Sequence, residues 1–120
     1  MARILLVDDE QVVLDIVSAM LQCEGYRVEA RDNGLTALSL FREDPTSFDL
    51  VITDHLMSDL PGLKLAEKIF EIRPEIPVIL FTGGDPGVES EAEAVGIRSV
   101  MKKPIAMEPL IDTVKGVLNG

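Results

Sequence analysis

Short apolar runs alternate with stretches of helical periodicity five times along the chain, and this alternation limits the possible folds more than any other feature. The runs are "RILLV" at 3–7, "YRVEA" at 26–30, "DLVIT" at 49–53, "PVILF" at 77–81 and "RSVM" at 98–101. Between and after them, apolar residues recur at helical spacing. Val13, Ile16, Val17 and Met20 form the first stripe; Ala37, Leu38 and Phe41 the second; Leu63, Ala66, Ile69 and Phe70 the third. Val88, Ala92 and Val95 form the fourth, and Leu110, Ile111, Val114 and Val117 the last. Gly25 falls where a helix C-cap glycine belongs. Asp85 followed by Pro86 reads as an N-cap and first-turn pair opening the fourth helix. Pro109 is tolerable only near the first turn of the fifth.

Strands one, three and four are continuous apolar runs, as expected of parallel strands covered on both faces. The pattern predicts an α/β fold in which an open parallel sheet carries helices on both sides. With 120 residues, no internal repeat and no linker, residues 1–120 are expected to form one domain. Sheets of this kind bind ligands beyond the carboxyl ends of their strands, where strand order reverses.

Four of those strand ends carry chemistry. The first strand is followed by Asp8, Asp9 and Glu10, the third by Asp54, the fourth by Thr82, Gly83 and Gly84, and the fifth by Lys102, Lys103 and Pro104. The second ends in Arg31, Asp32 and Asn33, a polar turn. Crowded carboxylates repel, so one must hold its proton or a cation must sit among them. Hard oxygen ligands suit Mg2+. Beside a divalent ion, Asp54 can attack phosphorus as a nucleophile, with positive charge neutralising the phosphoryl oxygens. A lysine adds a second cation, a threonine hydroxyl can donate to the new phosphoryl group, and two glycines allow close backbone approach.

Overall charge narrows the partners. The formal net charge of −10 disfavours direct nucleic-acid binding, which needs clustered Lys and Arg, and suits a cation or a basic partner. The apolar part of "MARILLVDD" is too short for a signal-peptide core, and no stretch approaches a membrane span. A single cysteine, Cys23, excludes an internal disulfide and is read as inert. A soluble, cytoplasmic protein with no membrane partner is expected.

The acidic pair Asp8 and Asp9, Asp54, Thr82 with Gly83, and Lys103 before Pro104 occur in order, each at a strand end. On these residues the chain resembles the receiver domains of two-component response regulators over essentially its whole length. The resemblance implies a flavodoxin-like fold with strand order 2-1-3-4-5 and five helices. It implies Asp54 as phospho-acceptor from a histidine kinase or a histidine phosphotransfer protein. It implies Mg2+ held by Asp9, Asp54 and the backbone carbonyl of Leu56, with Asp8 assisting. Lys103 would pair with the phosphoryl group, its peptide bond to Pro104 would be cis, and Thr82 would be the switch hydroxyl. A downstream partner would read the face formed by the fourth helix, fifth strand and fifth helix. The domain would be a signalling module and not an enzyme.

Departures from the family pattern are visible. Ser58 stands where the family often has proline, with Pro61 before Gly62, which predicts an altered loop with the chemistry intact. Val100 stands where an aromatic switch ring is common, which removes that ring. Lys102 is read as pointing outward, Glu10 as a first-turn acid favoured by the helix dipole, and His55 as a loop residue directed away from the site. Two rival functions are a phosphorylation-independent docking module and a small aspartate-nucleophile phosphatase. The second lacks an acid at Leu56, two residues past the nucleophile. Stand-alone protein, relay intermediate and piece of a hybrid kinase or larger regulator all remain open. The Thr-Gly-Gly-Asp run and the end at Gly120 lean toward a piece.

Overall fold

The computed structural model describes residues 1–119; the expected domain boundary at Gly120 lies outside them. The strands are β1 (Arg3–Val7), β2 (Arg27–Arg31), β3 (Leu50–Asp54), β4 (Val78–Thr82) and β5 (Ser99–Lys102). The α-helices are α1 (Gln11–Cys23), α2 (Gly34–Glu43), α3 (Gly62–Ile72), α4 (Val88–Val95) and α5 (Met107–Asn119). Every strand pairing is parallel, in the order β2-β1-β3-β4-β5. This is the flavodoxin-like α/β architecture that the alternation and the resemblance predict.

All five residues of β3 and all five of β4 are buried, which explains why those segments show no polar alternation. Side chains alternate across the sheet. Leu5, Val7, Val51, Val78 and Leu80 pack with α2, α3 and α4 on one side. Ile4, Leu6, Leu50, Ile52, Ile79 and Phe81 pack with α1 and α5 on the other. β2 is an edge strand with no fully buried position, so the alternation read there does not produce a clean inner face. Its Glu29 instead lies 3.8 Å from Arg3 and 3.6 Å from Arg31.

Several boundaries and faces differ from expectation. In α1 the buried residues are Leu14, Val17 and Leu21, while Ile16 is 49% exposed; this helix is apolar over too wide an arc for spacing alone to select the inner stripe. α3 buries Leu65 beside Ala66 and Ile69, with Leu63 and Phe70 only partly covered. Asp85 and Pro86 do not open α4. Gly87, at φ 80°, is its N-cap, and Val88 is its first residue. The helix waits for a residue that accepts a left-handed turn. Gly25 fulfils its expected role: at φ 90°, it donates to Gln22 O while Tyr26 donates to Leu21 O, closing α1 in a Schellman motif. Pro109 lies in the first turn of α5.

Candidate functional site

Parallel hydrogen bonding continues one residue beyond β1, β3 and β5, and this places the polar groups. The N–H of Asp8 donates to Arg31 O at 3.2 Å, that of His55 to Phe81 O at 2.8 Å, and that of Lys103 to Thr82 O at 2.8 Å. Asp54 and Thr82 are therefore the last residues of β3 and β4, and both are buried, as is Asp8. Asp9 is exposed. The charge that ends a buried strand is thus held in the sheet by backbone hydrogen bonds on either side of it.

The charges converge. Lys103 Nζ lies 2.9 Å from Asp8 Oδ2 and 3.1 Å from Asp54 Oδ1. Burial, then the neighbouring Asp8 charge, raises the Asp54 pKa above the ordinary 3.8, against the opposing pull of Lys103 and the His55 N–H. Burial would lower the Lys103 pKa, but its contacts with Asp8 and Asp54 outweigh that and raise it. Glu10 is not in the first turn of α1 as expected. It is the N-cap residue, and its Oε1 lies 3.3 Å from Lys103 Nζ.

Asp8, Asp9 and Asp54 each offer an oxygen, all within 4.8 Å of one another. Asp8 Oδ1 accepts the Glu10 N–H at 2.9 Å. Asp8 Oδ2 is buried and meets the Lys103 ammonium at 2.9 Å. Three carboxylates this close, two of them buried and sharing one ammonium, fit a hard divalent cation such as Mg2+. A pocket of about 250 Å³ opens here, lined by Asp9, Glu10, Asp54, His55, Leu56, Gly83 and Lys103.

The surrounding loops are tightly organised. A Cβ on Gly62 would lie 2.0 Å from the Asp54 carbonyl oxygen, so only glycine fits where α3 begins; its N–H donates to His55 O at 2.9 Å. The Thr82 hydroxyl accepts the Gly84 N–H at 3.1 Å. The Lys103–Pro104 bond is cis. Lys102 is exposed and Lys103 half-buried, as the opposition of neighbouring strand residues predicts. Leu56 has its side chain in solvent. His55 is not turned wholly away: it lines the pocket, with Nδ1 at 3.4 Å from Asp85.

Three contacts escaped the sequence reading: Glu10 with Lys103, His55 with Asp85, and Asp59 with α2. All three join residues far apart in sequence, so local patterns carry no signal for them. For Asp85, its place beside Pro86 suggested a cap and masked the contact.

The model of the response regulator receiver domain matches residues 4–115, and the chain belongs to that family. The receiver protein CpdR of Brucella abortus is 29% identical over 98% of both chains. The Arabidopsis thaliana response regulator ARR10 is 37% identical over 90% of this chain, which spans only 20% of that protein. Among solved structures, a receiver domain protein from Clostridium thermocellum superposes with TM-score 0.92 at 29% identity, covering 99% of this chain and 95% of the other. Chemotaxis regulator CheY4 of Vibrio cholerae gives 0.89 at 30% identity, covering 98% of each. The fold and the family are those of a two-component signalling module. Among the described residues no helix is long and apolar enough to cross a membrane.

Proposed function

We propose that residues 1–120 act as one receiver domain that accepts a phosphoryl group on Asp54, in a Mg2+-dependent transfer from the phosphohistidine of a histidine kinase or phosphotransfer protein. The observation that carries this reading is the meeting of Asp54 with Asp9 and Lys103 in the lining of one pocket, with the buried Asp8 beside them.

In this reading an Asp54 carboxylate oxygen attacks phosphorus, an O–P bond forms, the P–N bond breaks, and the electron pair returns to the donor imidazole. Lys103 favours the ionised, attacking form of Asp54 against the burial and the Asp8 charge that oppose it. Asp8, Asp9, Asp54 and the Leu56 carbonyl would hold Mg2+, whose chemistry there would be positive charge set against the phosphoryl oxygens. After transfer, Lys103 pairs with the phosphoryl group. The Thr82 hydroxyl, which here accepts from Gly84, has its own proton free to donate to that group. Such a donation shifts the loop between β4 and α4, and a partner reads the change on the face of α4, β5 and α5. A modification shifts a population only through its different interaction with the two states, and the charge on Asp54, answered by Thr82 and Lys103, is that difference.

Val100, half-buried, leaves a groove between α4 and β5 lined by Glu89, Glu93, Ile97, Arg98, Ser99 and Val100, so the readout proceeds without a ring at that position. The acidic net charge supports a protein partner and argues against direct nucleic-acid contact; a cytoplasmic location belongs to the same reading.

The test is intact mass after incubation with a small acyl phosphate, with and without Mg2+. Wild type gains about 80 Da, one phosphoryl group, only with metal, and Asp54→Asn gains nothing. Multiple turnovers on phosphate esters would revive the phosphatase reading. Partner binding indifferent to Asp54→Asn would revive the docking module.

A further inference from the structure

The loop from residue 55 to 61 joins Asp54 to α3, and it is bound to the start of α2. Asp59 makes the bond. Its Oδ1 accepts the Gly34 N–H at 3.2 Å and the Leu60 N–H at 2.8 Å, and its Oδ2 accepts the Leu35 N–H at 3.0 Å. Asn33 serves the next two amides of the helix, its side chain accepting from Thr36 at 2.8 Å and its carbonyl from Ala37 at 3.2 Å. Three of the amides that the first turn of a helix leaves without an intrahelical partner, those of Gly34, Leu35 and Thr36, are thus satisfied, two of them by a residue 25 and 24 positions away. Packing reinforces the junction. Leu60 is buried, and a Cβ on Gly34 would lie 2.8 Å from both its Cβ and its carbonyl oxygen.

We infer that Asp59 is a positioning residue for the metal site, clamping the loop to α2 so that the backbone at Leu56 is held at the pocket mouth. The inference rests on the proposed role of the Leu56 carbonyl as a Mg2+ ligand. The loop is fixed on its β3 side by the His55 N–H on Phe81 O. On its other side the charged anchor is Asp59. Leu56 is 63% exposed and contributes no side-chain anchor of its own. The donors gathered on Asp59 also hold its carboxyl below the usual range, against the opposing effect of burial, as a carboxylate receiving several N–H bonds should be. Groups that orient ligands without touching the metal commonly change affinity by tenfold or more when removed.

The test is calorimetric titration with Mg2+ on three variants of the full chain. Asp59→Ala should weaken Mg2+ binding about tenfold. Asp59→Asn, which loses the charge and one acceptor, should weaken it measurably but by less than Asp59→Ala does. Asn33→Ala removes an acceptor from the same helix end without touching the loop; it should lower the unfolding midpoint comparably and leave Mg2+ affinity at the wild-type value. Wild-type affinity in either Asp59 variant, or an equal loss in Asn33→Ala, overturns the inference and makes Asp59 a helix cap alone. Should Asp59→Ala fail to fold, Asp59→Asn decides. Wild type that binds no Mg2+ defeats the reading of the acidic site itself and the inference with it; wild type that binds Mg2+ upholds that reading whatever the Asp59 variants do.

Discussion

Lys103 lies 3.1 Å from Asp54 across the carboxyl edge of the sheet, so the proposed acceptor already has a cation beside it. The same ammonium also meets Asp8 at 2.9 Å. One lysine after β5 therefore balances two buried carboxylates that end β1 and β3.

Removing it should expose the repulsion it masks. Lys103→Met should destabilise the fold by about 2 kcal/mol at neutral pH, less than for a fully buried pair because the ammonium is partly in water. The pH dependence follows from the raised Lys103 pKa. Its stabilisation is complete below the ordinary 10.5 and is lost as pH rises through the higher folded value. Thermal unfolding of both proteins at neutral and strongly alkaline pH checks this: their midpoints should converge at high pH.

Asp54→Asn has the opposite sign. The raised Asp54 pKa means that ionisation costs stability, so the wild type loses stability as pH rises from 3.8 through the folded value. In metal-free buffer at neutral pH, Asp54→Asn should unfold a few degrees higher, an effect of about 1 kcal/mol on a chain of this size. A variant no more stable than wild type under those conditions would show that Lys103 fully offsets burial and the Asp8 charge.

Added Mg2+ should stabilise the wild type by about 2.7 kcal/mol at a hundredfold excess over its dissociation constant. Asp9→Asn, which removes the exposed member of the acidic trio, should respond far less at the same concentration. The comparison is a melting series against magnesium chloride with a matched sodium chloride control.

Gly62→Ala tests the junction of loop and helix. Its methyl group would lie 2.0 Å from the Asp54 carbonyl oxygen, a backbone atom that cannot turn aside. A loss of about 3 kcal/mol is expected, together with slower gain of phosphoryl mass, because relief of the clash must move either α3 or the end of β3. Urea unfolding and the acyl-phosphate assay read the two effects separately.

Strand existence and the converging polar residues were legible in the sequence, because burial on two faces leaves continuous apolar runs and the polar groups follow them immediately; the strand order came only from the family resemblance. Boundaries were less legible. β3, β4 and β5 each begin one residue later than their apolar runs and extend through Asp54, Thr82 and Lys102, since the ladder is defined by backbone hydrogen bonds and apolar content does not report them. The inner stripe of α1 was misjudged at Ile16 because Val12 and Ile16 are apolar yet exposed. Glu10 and Asp59 were missed for another reason: each acts on a partner brought near only by the completed sheet, at separations of 93 and about 25 residues.

Asp54 and Thr82 end neighbouring strands but belong to opposite sides of the pleat. Asp54 continues the row of Leu50 and Ile52, which packs with α1 and α5, while Thr82 continues the row of Val78 and Leu80, which packs with α2, α3 and α4. A group shared by these two side chains is a stitch through the sheet's rim. It would fasten together two helical layers otherwise separated by an inert apolar slab, so tension drawn on one layer has an anchorage in the other.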